Sequence, residues 1–454
     1  MAETASSLER GLSLTQATSI NMIDMVGIGP FITLPLIVGA MHGPQCILAW
    51  VLGALLAFLD GSVWAELGAK WPMAGGSYVF LQKVYASRFG KMMSFLLVWQ
   101  TLIQAPLVVA SAAIGFSKYL TYLVSLDKVE QKIVSGALVI LVTALLYRNI
   151  KSIGKISVLL WIITGGTFLW LIGSGFRHFN PQWAFSFSKD AFDLTPLFFV
   201  GLGQASLKTV YSYLGYYNVC HLGGEIKNPQ KNIPRAIFLS IGGIAILYLG
   251  MQIMISGAMP WRQIASSNFI VSTYFQQLYN PFVAKIATAL ILVIASSSLF
   301  AVMLGYSRIP YAAAVDGNFF KVFAKVHPKK GFPYISLLFM GGLGFIFSLI
   351  FKLTEVITAI LTMRIIVQFV GQSLGVLYWH WKKPADERPY KMWLFPLPAI
   401  IGIIIWLFIL FTSPWIYIAG ATGIIISGII IYITIIEPQK AKQVDGSVKT
   451  PTVG

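Results

Sequence analysis

Acidic residues are scarce in this chain: 16 Asp and Glu stand against 33 Lys and Arg in 454 residues, and charged residues of both signs make up only 11%. A water-exposed globular fold of this size needs a far more polar surface, so a soluble domain is excluded. Cysteine is nearly absent. Cys46 and Cys220 fall at opposite ends of two different apolar runs, so no disulfide framework is expected and both read as small packing residues. The five histidines show no His-x-x-His spacing and there is no Cys-x-x-Cys pair, which argues against a structural metal. No Ser/His/Asp arrangement, phosphate-binding loop or pair of catalytic carboxylates occurs at membrane depth, so neither an enzyme nor a bound cofactor is expected. The chain also lacks a soluble output domain of the kind a sensor carries and a ring-forming filter motif of the kind a channel carries.

What the chain has is apolar length, with 57% hydrophobic residues. Uninterrupted apolar stretches of about 20 residues are centred roughly on positions 30, 57, 105, 139, 165, 210, 247, 298, 342, 366, 402 and 425, which predicts an all-α integral membrane protein of about 12 transmembrane helices. The first stretch is followed by many others and reads as a true span, not a cleaved leader. A net charge of +17 does not point to nucleic acid, because the basic residues follow alternate loops instead of gathering on one face. With both termini placed in the cytoplasm, the great majority of Lys and Arg fall in cytoplasmic segments, including Lys440, Lys442 and Lys449 in the tail, which fixes the orientation by the positive-inside rule and favours a cell membrane with anionic inner-leaflet lipid. No obligate protein partner is evident. The organisation reads as a cytoplasmic N-terminal segment at 1–15, a ten-helix transport core at 16–380, two additional spans at 381–437 and a cytoplasmic tail at 438–454.

Two spans are interrupted. Gly27-Ile28-Gly29-Pro30 breaks the first and Tyr213-Leu214-Gly215-Tyr216 breaks the sixth. Glycine weakens a helix and proline lacks the backbone donor, so each segment is expected to unwind in mid-membrane, which lipid does not tolerate unless the freed backbone lines a cavity. Paired breaks in two halves of a membrane protein point to the substrate site of a secondary transporter. Spans one to five and six to ten then form an inverted five-plus-five repeat, each half opening with its discontinuous helix. Outside the spans, Pro72 and Gly75-Gly76-Ser77-Tyr78 read as a turn into a short amphipathic helix lying at the interface or re-entering the bundle. Gly331-Phe332-Pro333 punctuates the entry to span nine.

The stretch Gly215-Tyr216-Tyr217-Asn218-Val219, followed by Gly224-Glu225-Ile226-Lys227-Asn228-Pro229-Gln230-Lys231-Asn232-Ile233-Pro234-Arg235-Ala236, resembles the span-six signature of the amino acid, polyamine and organocation superfamily. Ser307-Arg308 with Ala314-Val315-Asp316-Gly317 is similar to the end of that family's span eight, and Ala65-Glu66-Leu67-Gly68 with Gly75-Gly76-Ser77-Tyr78 to its span-two exit. The resemblance covers roughly the first 330 residues in the expected order. It implies alternating access, a solute held between the breaks of spans one and six, and transport of an amino acid or, in the second reading, a polyamine or organic amine. The sequence departs from the family pattern at Gly27-Ile28-Gly29-Pro30-Phe31, where Ile28 adds bulk and Pro30 rigidity.

A substrate carboxylate is expected on the unpaired N–H groups that open the half-helix after Gly29, and an ammonium on carbonyls freed near Tyr213, with Gly27, Gly29 and Gly215 admitting close approach. The resemblance implies that Tyr213 covers the bound substrate. Among its neighbours Tyr211, Tyr216 and Tyr217 either face the solute or pack helices, and Asn218 either reaches the cavity or bonds a neighbouring helix. Asp24, one turn before the first break, is the candidate for proton coupling or cation binding, with a hydrated position at the inner mouth as the alternative. Lys208 lines an outer vestibule, pairs with Asp193 or snorkels, and Arg364 pairs with Glu355 or closes an outer gate. The resemblance puts Thr164 where coupled relatives carry a lysine and Ser296 and Ser297 where sodium-coupled relatives carry hydroxyls. The coupling ion is therefore H+ or Na+, a sodium site being built from Gly27, Thr164, Ser296 and Ser297 or the serines simply bonding their own helix. Gln100 and Gln104 share one face of span three. At the cytoplasmic side Glu225 is expected to latch with Lys227 and Arg235, and Arg308 with Asp316.

Overall fold

Capping chemistry sets where the long helices begin. The computed structural model describes residues 8–187, 189–352, 359–360 and 362–437; Glu355 and the tail lysines lie outside them. Helix α1 (Leu14–Met25) opens with a capping box in which the Ser13 hydroxyl accepts from the Gln16 N–H while the Gln16 side chain accepts from the Ser13 N–H, so two otherwise orphaned donors are satisfied. After α2 (Gly29–Met41), α3 (Ile47–Lys70) and the short α4 (Ser77–Tyr85), side-chain N-caps recur, with a second capping box at Asp127 and Glu130. Ser87 caps α5 (Arg88–Leu120), Asp127 caps α6 (Lys128–Leu146) and Asn149 caps α7 (Ile150–Gly175). Thr195 caps α8 (Pro196–Tyr213), where a proline occupies the first helical position and loses no needed hydrogen bond.

The second half continues with α9 (Pro229–Ala258), α10 (Ile270–Leu278), α11 (Pro281–Tyr306) and α12 (Arg308–Val315). Then come α13 (Tyr334–Ile350), a π-helical stretch Ile365–Val370 leading into α14 (Gly371–Lys382), α15 (Leu397–Phe411) and α16 (Trp415–Ile431). Among the described residues there is no strand, only isolated bridges joining Leu12 to Ile226 and Ala74 to Leu222. Among the described residues seven helices are long and apolar enough to cross a bilayer unaided, and α1 with α2 forms an eighth as one bent span; α13 and α15 are shorter apolar helices. This is the architecture of a multi-pass membrane protein.

The outward surface carries exposed apolar side chains such as Leu197, Ile246 and Phe282, as expected where lipid is the solvent. Buried polar residues gather inside instead. Helix α4 does not lie flat at an interface: Tyr78, Phe80 and Leu81 are buried, and the turn before it places Gly75 and Gly76 at φ of 104° and 53°, a region that only glycine enters cheaply. Both cysteines are free and buried.

Candidate functional site

The two breaks meet at the centre of the bundle. Helices α1 and α2 are bent by 46° across residues 26–28, and α2 starts without any side-chain cap at Ile28, which leaves its first-turn N–H groups open to a ligand. Helix α8 stops at Tyr213, the chain passes Gly215 at φ 120°, and one further helical turn follows at Asn218–His221. Gly215 packs directly on the first break. A Cβ there would lie 2.7 Å from the Met25 nitrogen and 2.9 Å from the Asp24 carboxyl carbon.

A cavity of about 50 Å³ lies between them, lined by both breaks together with α5, α11 and the start of span ten. That is room for a few waters. Gly27, Ile28, Gly29, Pro30 and Gly215 line it, and so does Asp24. Opposite in sign, Arg364 lines it too, buried at 3% exposure. Its Nη1 donates to the Tyr217 hydroxyl at 2.5 Å, its Nε donates to Gln368 at 2.8 Å, and the guanidinium carbon sits 5.1 Å from the ring centres of both Tyr217 and Tyr306. Two aromatic faces and two hydrogen bonds thus hold one cation at the cavity wall. Glu355, the partner expected for Arg364, is outside the described residues.

Several candidates sit elsewhere. Tyr213 points away from the cavity and packs on Trp50 and Tyr248, at ring separations of 6.1 and 5.2 Å; Tyr211 takes the cavity side, its hydroxyl 3.1 Å from Ser111 Oγ. Residues two apart on a helix are rotated by roughly 200°, so both could not face the solute. Tyr216 donates its hydroxyl to Asp60 Oδ2 at 2.5 Å, where Trp64 also donates at 2.8 Å, and Trp406 donates to Asp60 Oδ1 at 3.4 Å. Asp60, a carboxylate in mid-span, is thereby satisfied by three donors from three spans. Asn218 donates to the Ala301 carbonyl at 2.8 Å and ties the sixth span to α11.

The hydroxyls of Ser296 and Ser297 bond the carbonyls of Leu292 and Val293 in their own helix. The next residue, Ser298, faces the break and donates to the Asp24 carbonyl at 3.3 Å. Thr164 is buried with no partner for its hydroxyl. Lys208 donates to the Gln204 carbonyl at 2.9 Å, not to Asp193. Gln100 and Gln104 are both buried on α5, each with an unpartnered side-chain nitrogen.

Two residues that sequence reasoning missed brace the breaks. Asn21 on α1 donates to the Tyr216 carbonyl at 2.6 Å and accepts from the Val219 N–H at 2.8 Å. Tyr248 on α9 reaches the carbonyls of Met25, at 2.7 Å, and of Ser212, at 3.1 Å, and so spans both breaks. An amide or phenol inside a span is the only local signal for either, and nothing in the sequence names its partner.

The expected cytoplasmic latches are corrected. Glu225 does not pair with Lys227 and Arg235, nor Arg308 with Asp316; instead Arg308 meets Glu225 through two hydrogen bonds of 2.9 and 3.0 Å, both side chains 1% exposed. Such two-pronged geometry suits a guanidinium and a carboxylate once both are stripped of water. Beside it the N–H groups of Gly11 and Leu12 donate to the Glu225 carbonyl at 2.9 Å, closing this end with the N-terminal segment.

A multi-pass helical bundle whose discontinuous helices enclose a cavity lined by an acidic and a basic side chain is the arrangement of secondary transporters. The comparison with known proteins narrows it. The amino acid permease family model matches residues 12–437, and the chain belongs to that family. It is 24% identical to the branched-chain amino acid permease BcaP of Bacillus subtilis (strain 168), covering 94% of this chain and 93% of that one. It is 28% identical to the Asc-type amino acid transporter 1 of Mus musculus, over 89% of this chain and 77% of the relative. The methylthioribose transporter of Bacillus subtilis (strain 168) is 22% identical, over 90% and 89% of the two chains.

Proposed function

We propose that this chain is a secondary active amino acid permease of the cell membrane, with both termini cytoplasmic, that works by alternating access. The observation that carries this reading is the pairing of Asp24 and Arg364 on one cavity between two helix breaks. The substrate ammonium meets Asp24 and the negative end of α1, while the carboxylate meets Arg364 and the open N–H groups after Gly29. Family membership alone leaves the solute open, since one relative carries methylthioribose in its name. Opposite charges on facing walls favour a zwitterion. They count against the polyamine reading, because a second substrate cation would sit beside the Arg364 guanidinium.

In this mechanism the ten-helix core at 16–380 rocks around the breaks as an inverted repeat, with the two additional spans at 381–437 outside it, and the Glu225–Arg308 pair with the Leu12–Ile226 bridge opens on the inward stroke. Two coupling schemes fit. Protons would act through Asp24, and Na+ through the Gly27 region, Thr164, Ser296 and Ser297; the orphaned Thr164 hydroxyl favours a hard cation, whereas the two serines are engaged by their own helix. Uptake into proteoliposomes from a labelled panel of amino acids and polyamines, with pH and sodium gradients imposed separately, tests all of this. Neutral amino acids are expected to compete and polyamines to be ignored; competition by polyamines alone would overturn the reading.

A further inference from the structure

A second cavity lies far from the breaks, on the outer face of the bundle between α6 and α13. Its volume, about 910 Å³, is at the upper end of the ~300–1,000 Å³ range of sites that hold a whole small ligand. The walls are apolar: Ile140 is 59% exposed and Leu338 46% exposed, and at Gly342 an added Cβ would meet nothing within 4 Å. Helix α6 is long and apolar enough to cross a bilayer and α13 is a shorter apolar helix beside it, so the groove between them suits acyl chains better than water.

One end of the groove is different in kind. Tyr147, Arg148 and Lys330 close it, at the Lys/Arg-rich end of the bundle that the charge pattern assigns to the cytoplasm. Lys330 is held in place: its Nζ donates to the Tyr147 carbonyl at 2.8 Å and sits 4.7 Å from the centre of that ring. The loop that carries it is folded on His327, whose Nδ1 accepts from the N–H groups of Lys329 and Lys330 and whose carbonyl accepts from the Gly331 N–H at 2.9 Å. Arg148 is exposed beside it. Among the described residues neither cation has a carboxylate partner.

We propose that this groove binds an anionic phospholipid of the inner leaflet, its acyl chain lying along Ile140, Leu338 and Gly342 and its phosphate held between Arg148 and Lys330. The charge complements the groove: an apolar slot ends in two cations that no carboxylate among the described residues neutralises, the arrangement that basic pockets between transmembrane helices use for anionic headgroups. A zwitterionic lipid brings an ammonium to the same place and forfeits the gain. The site is separate from the substrate cavity, so its occupancy does not depend on which solute the protein carries.

Native mass spectrometry of the detergent-purified full chain, titrated with phosphatidylglycerol or phosphatidylcholine, tests the proposal. The wild type is expected to bind phosphatidylglycerol preferentially, and R148Q/K330Q to lose that preference, weakening it roughly thirtyfold for two basic contacts near the surface. G342F keeps both charges and puts a ring into the slot from a position where an added Cβ meets nothing within 4 Å, and is expected to lose phosphatidylglycerol while remaining monodisperse with an unchanged unfolding midpoint. Excess inorganic phosphate should not displace the lipid. Equal binding of both lipids by the wild type, retained preference in R148Q/K330Q, or displacement by inorganic phosphate would each overturn the proposal.

Discussion

The two helix breaks differ in how their freed peptide groups are used. In the first, between α1 and α2, the N-terminal end of α2 is uncapped and faces the cavity beside Asp24. In the second, Asn21 takes the Tyr216 carbonyl and the Val219 N–H, Tyr248 reaches the Ser212 carbonyl, and Asp60 anchors the Tyr216 ring. The first break leaves the N-terminal end of α2 open to the cavity, while Tyr248 and Ser298 meet only its Met25 and Asp24 carbonyls, and the second is braced by side chains of α1, α3 and α9. An unwound segment in lipid must satisfy its polar groups somehow, and the two breaks differ in how they do so: N–H groups open to the cavity at the first and fixed side-chain partners at the second.

The comparison breaks most visibly at Gly215. In Gly215→Ala the new Cβ meets backbone at 2.7 Å in a positive-φ conformation, and a loss of about 2–6 kcal/mol from strain and overpacking is expected, read as a lowered unfolding midpoint with uptake abolished. Asn21→Ala orphans two buried peptide groups and should cost about 1–3 kcal/mol for each, again as lost stability. Asp24→Asn and Arg364→Gln should separate the two roles: each chain inserts and purifies normally, but amino acid uptake falls about tenfold or more, mainly through the apparent affinity. Gly29→Ala brings a Cβ to 3.0 Å from the Tyr211 ring, a side chain able to yield; stability should change by less than about 1 kcal/mol while uptake falls. If Gly29→Ala destabilises as much as Gly215→Ala, the contrast between the breaks is lost. Tyr213→Phe should change least of all, because the Tyr213 hydroxyl is buried without a partner, and stability and uptake within about 0.5 kcal/mol of wild type are expected.

Both interruptions were legible because Gly27, Gly29, Pro30 and Gly215 are local signals inside long apolar runs. The caps were written locally too, in Ser13 with Gln16 and Asp127 with Glu130. What stayed hidden is the pairing of residues far apart in sequence. Asn21 with Tyr216, Tyr248 with Met25 and Arg308 with Glu225 are fixed by helix packing, and a single sequence carries no record of which polar side chains share a depth and a face. The same blindness explains the tyrosines and serines around the cavity. Tyr211 faces it where Tyr213 does not, and Ser298 faces it where Ser296 and Ser297 bond their own helix; a shift of one or two positions rotates a side chain by roughly 100–200°.

The most direct test of the central claim is a cryo-EM map of the full chain in lipid nanodiscs, saturated with the amino acid that competes best in the uptake panel. The account predicts density between Gly27–Gly29 and Gly215 that touches both Arg364 and Asp24, with the helical hydrogen bonding interrupted in both spans. Density at another site, or unbroken helix through residues 25–29 and 213–218, would contradict it.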